Sequence, residues 1–110
     1  MEKIRYMKLK NEGGFVARMK ILWEGSDGKG NIGHGEYEED SYHDICIHAE
    51  RSIDLSQTNI PDNSEVQLKA VVVLGKDKTA DEKFIYSKDS CENATYEISG
   101  TTLINKLKKI

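Results

Sequence analysis

Apolar and polar residues alternate most strictly between Gly13 and Gly25, in the stretch GGFVARMKILWEG. Phe15, Ala17, Met19, Ile21 and Trp23 fall on one face of an extended chain, and Val16, Arg18, Lys20, Leu22 and Glu24 fall on the other. That two-residue period predicts a half-buried strand, whereas helical spacing would mix Arg18 with Met19 and Leu22 in one stripe. A strand of about ten residues exceeds the usual five or six and suits the centre of a two-sheet sandwich.

The rest of the chain supplies partners for it. Ile4 to Lys10 (IRYMKLK) alternates and predicts a first strand, with Asn11 to Gly14 as the turn into the long one. The glycine-rich Gly25 to Gly35 reads as a loop or wide hairpin tip, and Glu36 to Asp40 as a solvated acidic run. His43 to His48 (HDICIH) predicts a strand with Ile45 and Ile47 on one face, and RSIDL at 51–55 a short one. Pro61 opens a turn. Glu65 to Leu74 (EVQLKAVVVL) is a second strong, β-branched strand. The charged Gly75 to Lys83 holds TADEK, suited to one helical turn, and shorter strands follow at Phe84 to Tyr86, Thr95 to Ser99 and Leu103 to Leu107. No segment keeps a helical apolar period over three turns. The expectation is one domain over residues 1–110: an all-β, single antiparallel β-sandwich, immunoglobulin-like in general architecture.

Composition narrows the function classes. Sixteen Lys plus Arg against 19 Asp plus Glu give a formal net charge of −3, which argues against non-specific nucleic-acid binding. Cys46 and Cys91 are too few for a disulfide framework; they either pair once in an oxidising compartment or remain separate thiols. No run is apolar enough to span a bilayer and the N-terminus lacks a signal-peptide core, so the expectation is a soluble chain, cytoplasmic or exported by a route not visible here.

Two pieces read together resemble the C-terminal β-sandwich domain (domain 4) of thiol-activated, cholesterol-dependent cytolysins. The family's first long strand carries G-A-Y-V-A-x-F leading to a Trp and an acidic residue. Here Gly13, Phe15, Val16, Ala17, Met19, Trp23 and Glu24 stand in that order, with Gly14 in place of the alanine. The family's late strand followed by G-T-T-L is matched by Ile98, Gly100, Thr101, Thr102 and Leu103. The resemblance runs roughly from Tyr6 to Leu107 and implies a membrane-contacting module whose Thr-Leu pair, Thr102 and Leu103 here, recognises cholesterol. Thr101, Thr102 and Leu103 are therefore the candidate ligand loop. A threonine hydroxyl suits a sterol hydroxyl and leucine suits the apolar interface. The alternative is a plain turn in which Gly100 supplies backbone freedom and Leu103 starts the next core strand. The chain departs from the family where a Trp-rich undecapeptide is expected: GKDKTADEKF at 75–84 has neither Trp nor Cys. Charges there resist burial, and without pore-forming domains the chain by itself is not expected to form pores.

Other chemistry is weaker. Asp27, Lys29, Asn31 and Glu38 match an EF-hand count, but position three is a lysine and position six is Ile32 instead of glycine. Cys46 and His48, with His34 and His43 nearby and Cys91 distant, fall short of converging zinc pairs. No nucleophile elbow accompanies the Ser, His and Asp residues. Trp23 reads as a core residue unless its end of the strand reaches the surface. The expectation is therefore a non-enzymatic binding module without cofactor or metal. Its partner is a membrane lipid, a glycan or a protein surface, and its oligomeric state stays open. The alternative is a regulatory partner of a larger toxin-like assembly with no lipid contact.

Overall fold

A computed structural model describes residues 1–26 and 32–110. Ten strands form among them: β1 Lys3–Ile4, β2 Tyr6–Gly13, β3 Ala17–Ser26, β4 Ile32–Tyr37, β5 Glu50–Asp54, β6 Glu65–Val72, β7 Lys78–Thr79, β8 Phe84–Tyr86, β9 Asn93–Gly100 and β10 Asn105–Lys109. One sheet has the order β1-β8-β6-β3-β4, with β7 also on β6; the other runs β10-β9-β2-β5. The inner faces interleave Met7, Leu9, Ala94, Tyr96 and Ile98 with Met19, Ile21, Val66, Leu68 and Ala70, all at most 2% exposed. The fold is an all-β sandwich.

The central strand forms as its alternation demands. β3 pairs antiparallel with β6 from Ala17↔Val72 to Glu24↔Glu65, so the two most β-favouring stretches of the chain hydrogen-bond to each other. β5 and β8 form close to their expected places. Two pairings are parallel, β1 with β8 and β2 with β9, because the N-terminal stretch inserts beside late strands in both sheets.

Several local expectations change. The chain does not turn at Asn11: β2 continues to Gly13, because its parallel register with β9 extends to Gly13↔Gly100. β3 begins only at Ala17, although Phe15 stays buried and its ring fills the space where Gly13 has no side chain. Residues 43–48 do not make a strand. Ile45 is buried through one bridge to Ala17, while Ile47 is 51% exposed, so their shared face does not exist. The expected glycine loop is shorter than predicted: β3 runs to Ser26 and β4 resumes at Ile32. Part of it, with the EF-hand positions Asp27, Lys29 and Asn31, lies outside the described residues. Of the TADEK segment, Thr79 pairs in β7 and Ala80 is buried, so no helical turn forms there, and β10 starts two residues later than Leu103. The only helical turn among the described residues is a 3-10 turn at Leu55–Gln57, capped by the Asp54 carboxylate.

Candidate binding tip

β2, β6 and β9 end at one pole of the sandwich, and β3, β5 and β10 begin there. The connections at 14–16, 46–49, 73–77 and 101–104 therefore converge. A fully buried Asn11 fastens two of them. Its Nδ2 donates to the carbonyls of Phe15 (2.6 Å) and Ile45 (2.9 Å), and its Oδ1 accepts the Gly13 N–H (2.9 Å). Its backbone N–H donates to Ala49 O and its carbonyl accepts the His48 N–H. Every polar group of this buried side chain is thus partnered, as burial requires.

The other two connections lean on one another. The Lys76 N–H donates to Thr102 O (2.9 Å), and Asn105 Nδ2 donates to Lys76 O (2.8 Å). The approach is so close that a Cβ on Gly75 would collide with the Thr102 carbonyl. Gly100, at φ +102°, makes the turn out of β9. Thr101 closes the loop, its N–H donating to Ile104 O (2.7 Å) and its Oγ1 accepting the Ile104 N–H (3.0 Å).

What this frame displays is apolar. Leu74 is 95% exposed, Ile104 81% and Leu103 64%. Leu74 also takes φ +60°, a left-handed conformation unfavourable for a branched residue. The Leu103 side chain therefore does not enter the core, which removes the reading in which it opens the last core strand. Of the expected ligand loop, Thr101 spends its hydroxyl within the loop, whereas the Thr102 hydroxyl has no hydrogen-bond partner among the described residues. Thr101, Thr102 and Leu103 lie together; Leu74 and Ile104, which flank them, were not singled out by the sequence. The signal for Leu74 was a leucine followed by glycine where a β-branched run meets charge.

The remaining candidates are otherwise engaged. His43 places Nδ1 2.7 Å from Ser41 O and Nε2 2.9 Å from Glu38. The Ser41 carbonyl first, then Glu38, hold its pKa above the usual histidine value. His48, at φ +66°, contacts Glu12 (2.8 Å), and Cys46 and Cys91 are separate, exposed thiols. No group of three potential metal ligands forms among the described residues. The acidic run is less solvated than expected, since Glu36 meets Lys20 and Lys69, Glu38 meets His43, and Glu39 meets Arg51. Trp23 is half-buried against the core and lies across Gly33 and Gly35 of β4. A depression of about 340 Å³ beside it is lined by Leu22, Glu24, His34, Glu36, Glu65 and Lys83, with no serine, threonine or cysteine among the described residues that line it.

Comparison with known structures places this geometry. The chain superimposes on listeriolysin O with a TM-score of 0.53 and 21% identity, over 96% of this chain and 22% of that one. On pneumolysin the TM-score is 0.53 at 19% identity, over 96% and 23%. On a disulfide-locked mutant of intermedilysin solved with human CD59 it is 0.51 at 16%, again over 96% and 23%. The chain thus spans less than a quarter of the length of these toxins. No known family pattern and no curated protein sequence matches it. At such identities the likeness concerns the fold, an all-β sandwich shared with cholesterol-dependent cytolysins.

Proposed function

We propose that residues 1–110, a sandwich of cytolysin-like fold, act as a non-enzymatic binding module that docks its tip on a membrane. The observation that carries this reading is the cluster of Leu74, Leu103 and Ile104, held out of the core by a hydrogen-bonded frame. Full burial of a leucine or isoleucine side chain is worth about 1.5–3 kcal/mol, so three of them suffice for reversible interfacial binding. Thr102 is assigned the contact to a sterol hydroxyl, with Thr101 as the residue that shapes the loop. The absence of tryptophans from 75–84 implies shallower insertion than an amphipathic aromatic anchor would give.

Co-sedimentation with phosphatidylcholine liposomes, with and without cholesterol, tests this. Wild-type protein should pellet better with cholesterol, and Thr102→Ala combined with Leu103→Ala should abolish the difference. No pelleting in any liposome overturns the membrane reading. The second reading, a protein partner within a toxin-like assembly, is favoured by β4. That strand pairs only with β3 among the described residues, carries glycines at 33 and 35, and leaves Ile32 75% exposed, an edge open to strand addition.

A further inference from the structure

We infer that the tip selects anionic bilayer surfaces, with Lys76, Lys78 and Lys106 as the headgroup contacts; this rests on the membrane reading above and names its lipid class. The three lysines crowd the same pole. Lys76 sits in the loop bonded to Thr102. Lys106 pairs with Ser99, one step from Gly100, and Lys78 with Ala70, two steps from the end of β6. All three are exposed, and none has a carboxylate within 4.0 Å among the described residues.

Of the carboxylates near that pole, Asp44 and Glu50 are paired with cations, whereas Asp77 and Glu12 keep their charge. Asp77 accepts the Val72 N–H, Glu12 faces His48, Asp44 binds Arg18 at 2.6 Å, and Glu50 lies near Lys8 and Lys10. Slightly further back, Glu97 meets Lys108 and Glu82 accepts the Tyr96 hydroxyl. Glu24, Asp62, Asp89 and Glu92 belong to the opposite pole, where β3 ends and β6 and β9 begin. In a chain of net charge −3, Lys76, Lys78 and Lys106 thus outnumber Asp77 and Glu12 beside the only cluster of exposed aliphatic side chains among the described residues. Long lysine stems reach past an apolar contact and leave their ammonium groups at the phosphate level. The surface potential of anionic lipid attracts such groups and falls off within a Debye length of about 8 Å at physiological salt, which suits lysines at the tip and not those further away.

The test uses the whole chain and vesicles of phosphatidylcholine or of phosphatidylcholine with phosphatidylserine, each with and without cholesterol, at low and physiological salt. Phosphatidylserine should tighten wild-type binding, and salt should weaken it. Each Lys→Gln change should cost about fivefold in affinity for the anionic vesicles and the triple change roughly a hundredfold. Circular dichroism should be unchanged, since these side chains are exposed. Equal binding to neutral and anionic vesicles, or a triple variant that binds anionic vesicles like wild type, overturns the lysine assignment while leaving the apolar tip in place. No binding to any vesicle overturns both.

Discussion

Asn11 and Leu74 show opposite uses of a side chain at the same pole. Asn11 is a polar group placed where only a fully bonded one is tolerated, and it joins 11–15 to 45–49. Asn11→Leu keeps the branched shape but strands two backbone groups, the Phe15 carbonyl and the Gly13 N–H, while the Ile45 carbonyl retains the Ala17 N–H. At about 1–3 kcal/mol each, a loss of about 2 kcal/mol or more is expected from urea unfolding. A loss below about 1 kcal/mol would mean that the turn is held by other contacts. Leu74 is an apolar group in the wrong backbone region and in full solvent. Its left-handed conformation costs roughly 1–2 kcal/mol, and the unfolded-state freedom of glycine offsets about 0.5–1 of any relief. Leu74→Gly should therefore leave stability unchanged or slightly higher while weakening liposome pelleting; unchanged pelleting would detach this residue from the tip. Neither role was legible from the residues alone. The polar Asn11 looked like turn chemistry because its burial depends on β9, far away in the chain, and an exposed leucine at the end of a β-branched run reads as core. The turn that carries Thr102 and Leu103 was legible through the G-T-T-L motif, because Gly100 at φ +102° sets its local geometry.

Among the elements, the join between β1 and β2 is the most informative. The chain leaves one sheet and enters the other at Arg5, whose guanidinium grips Asp54 through Nε–Oδ1 and Nη2–Oδ2 contacts of 3.1 Å each. Asp54 also accepts the Ser56 N–H (3.0 Å) and hydroxyl (2.7 Å), so one carboxylate fastens the strand switch, the end of β5 and the following turn. These donors, Arg5 first, bring its pKa down from 3.8 to about 2. A lowered folded pKa means that the unfolded chain binds more protons between the two values. The stabilisation is thus complete above about pH 4 and disappears as pH falls towards 2. Asp54→Asn should flatten the stability profile in that window relative to wild type, measured by urea midpoints; an unaltered slope would show that other carboxylates dominate. Strands whose pattern and burial agree, β3, β5, β6, β8 and β9, were readable. The missed or misplaced ones depended on partners. β4 is rich in glycine and lies at an edge, so it has little alternation to read. At 43–48 the alternation was present, yet Ile47 turns outward at the tip because only Ile45 finds a bridge.

At the scale of the whole molecule, the sandwich measures about 44 × 25 × 24 Å. Among the described residues, exposed aliphatic side chains lie with Lys76, Lys78 and Lys106 at one pole, while Glu24, Asp62, Asp89 and Glu92 outnumber Lys3 and Lys88 at the other. This arrangement favours an upright approach to an anionic surface, with the acidic end facing away. Rigidity follows from the frame: the backbone bonds from 76 to 102 and from 11 to 48 and 49 keep the tip loops in fixed relation, so little ordering entropy remains to be lost on contact.

The parallel insertion of the first strands has a consequence for how such a chain is made. Lys3 pairs with Ile85, and Tyr6 to Gly13 pair with Asn93 to Gly100. On a ribosome, residues 3–13 must wait for partners more than eighty positions downstream, a delay of roughly 4–16 s at about 5–20 residues per second. During that interval Met7 and Leu9 lack their β9 neighbours Ala94 and Tyr96, and the second sheet has no centre. The sandwich therefore closes only once residues 93–100 have emerged, and until then residues 3–13 are the part most dependent on chaperone cover.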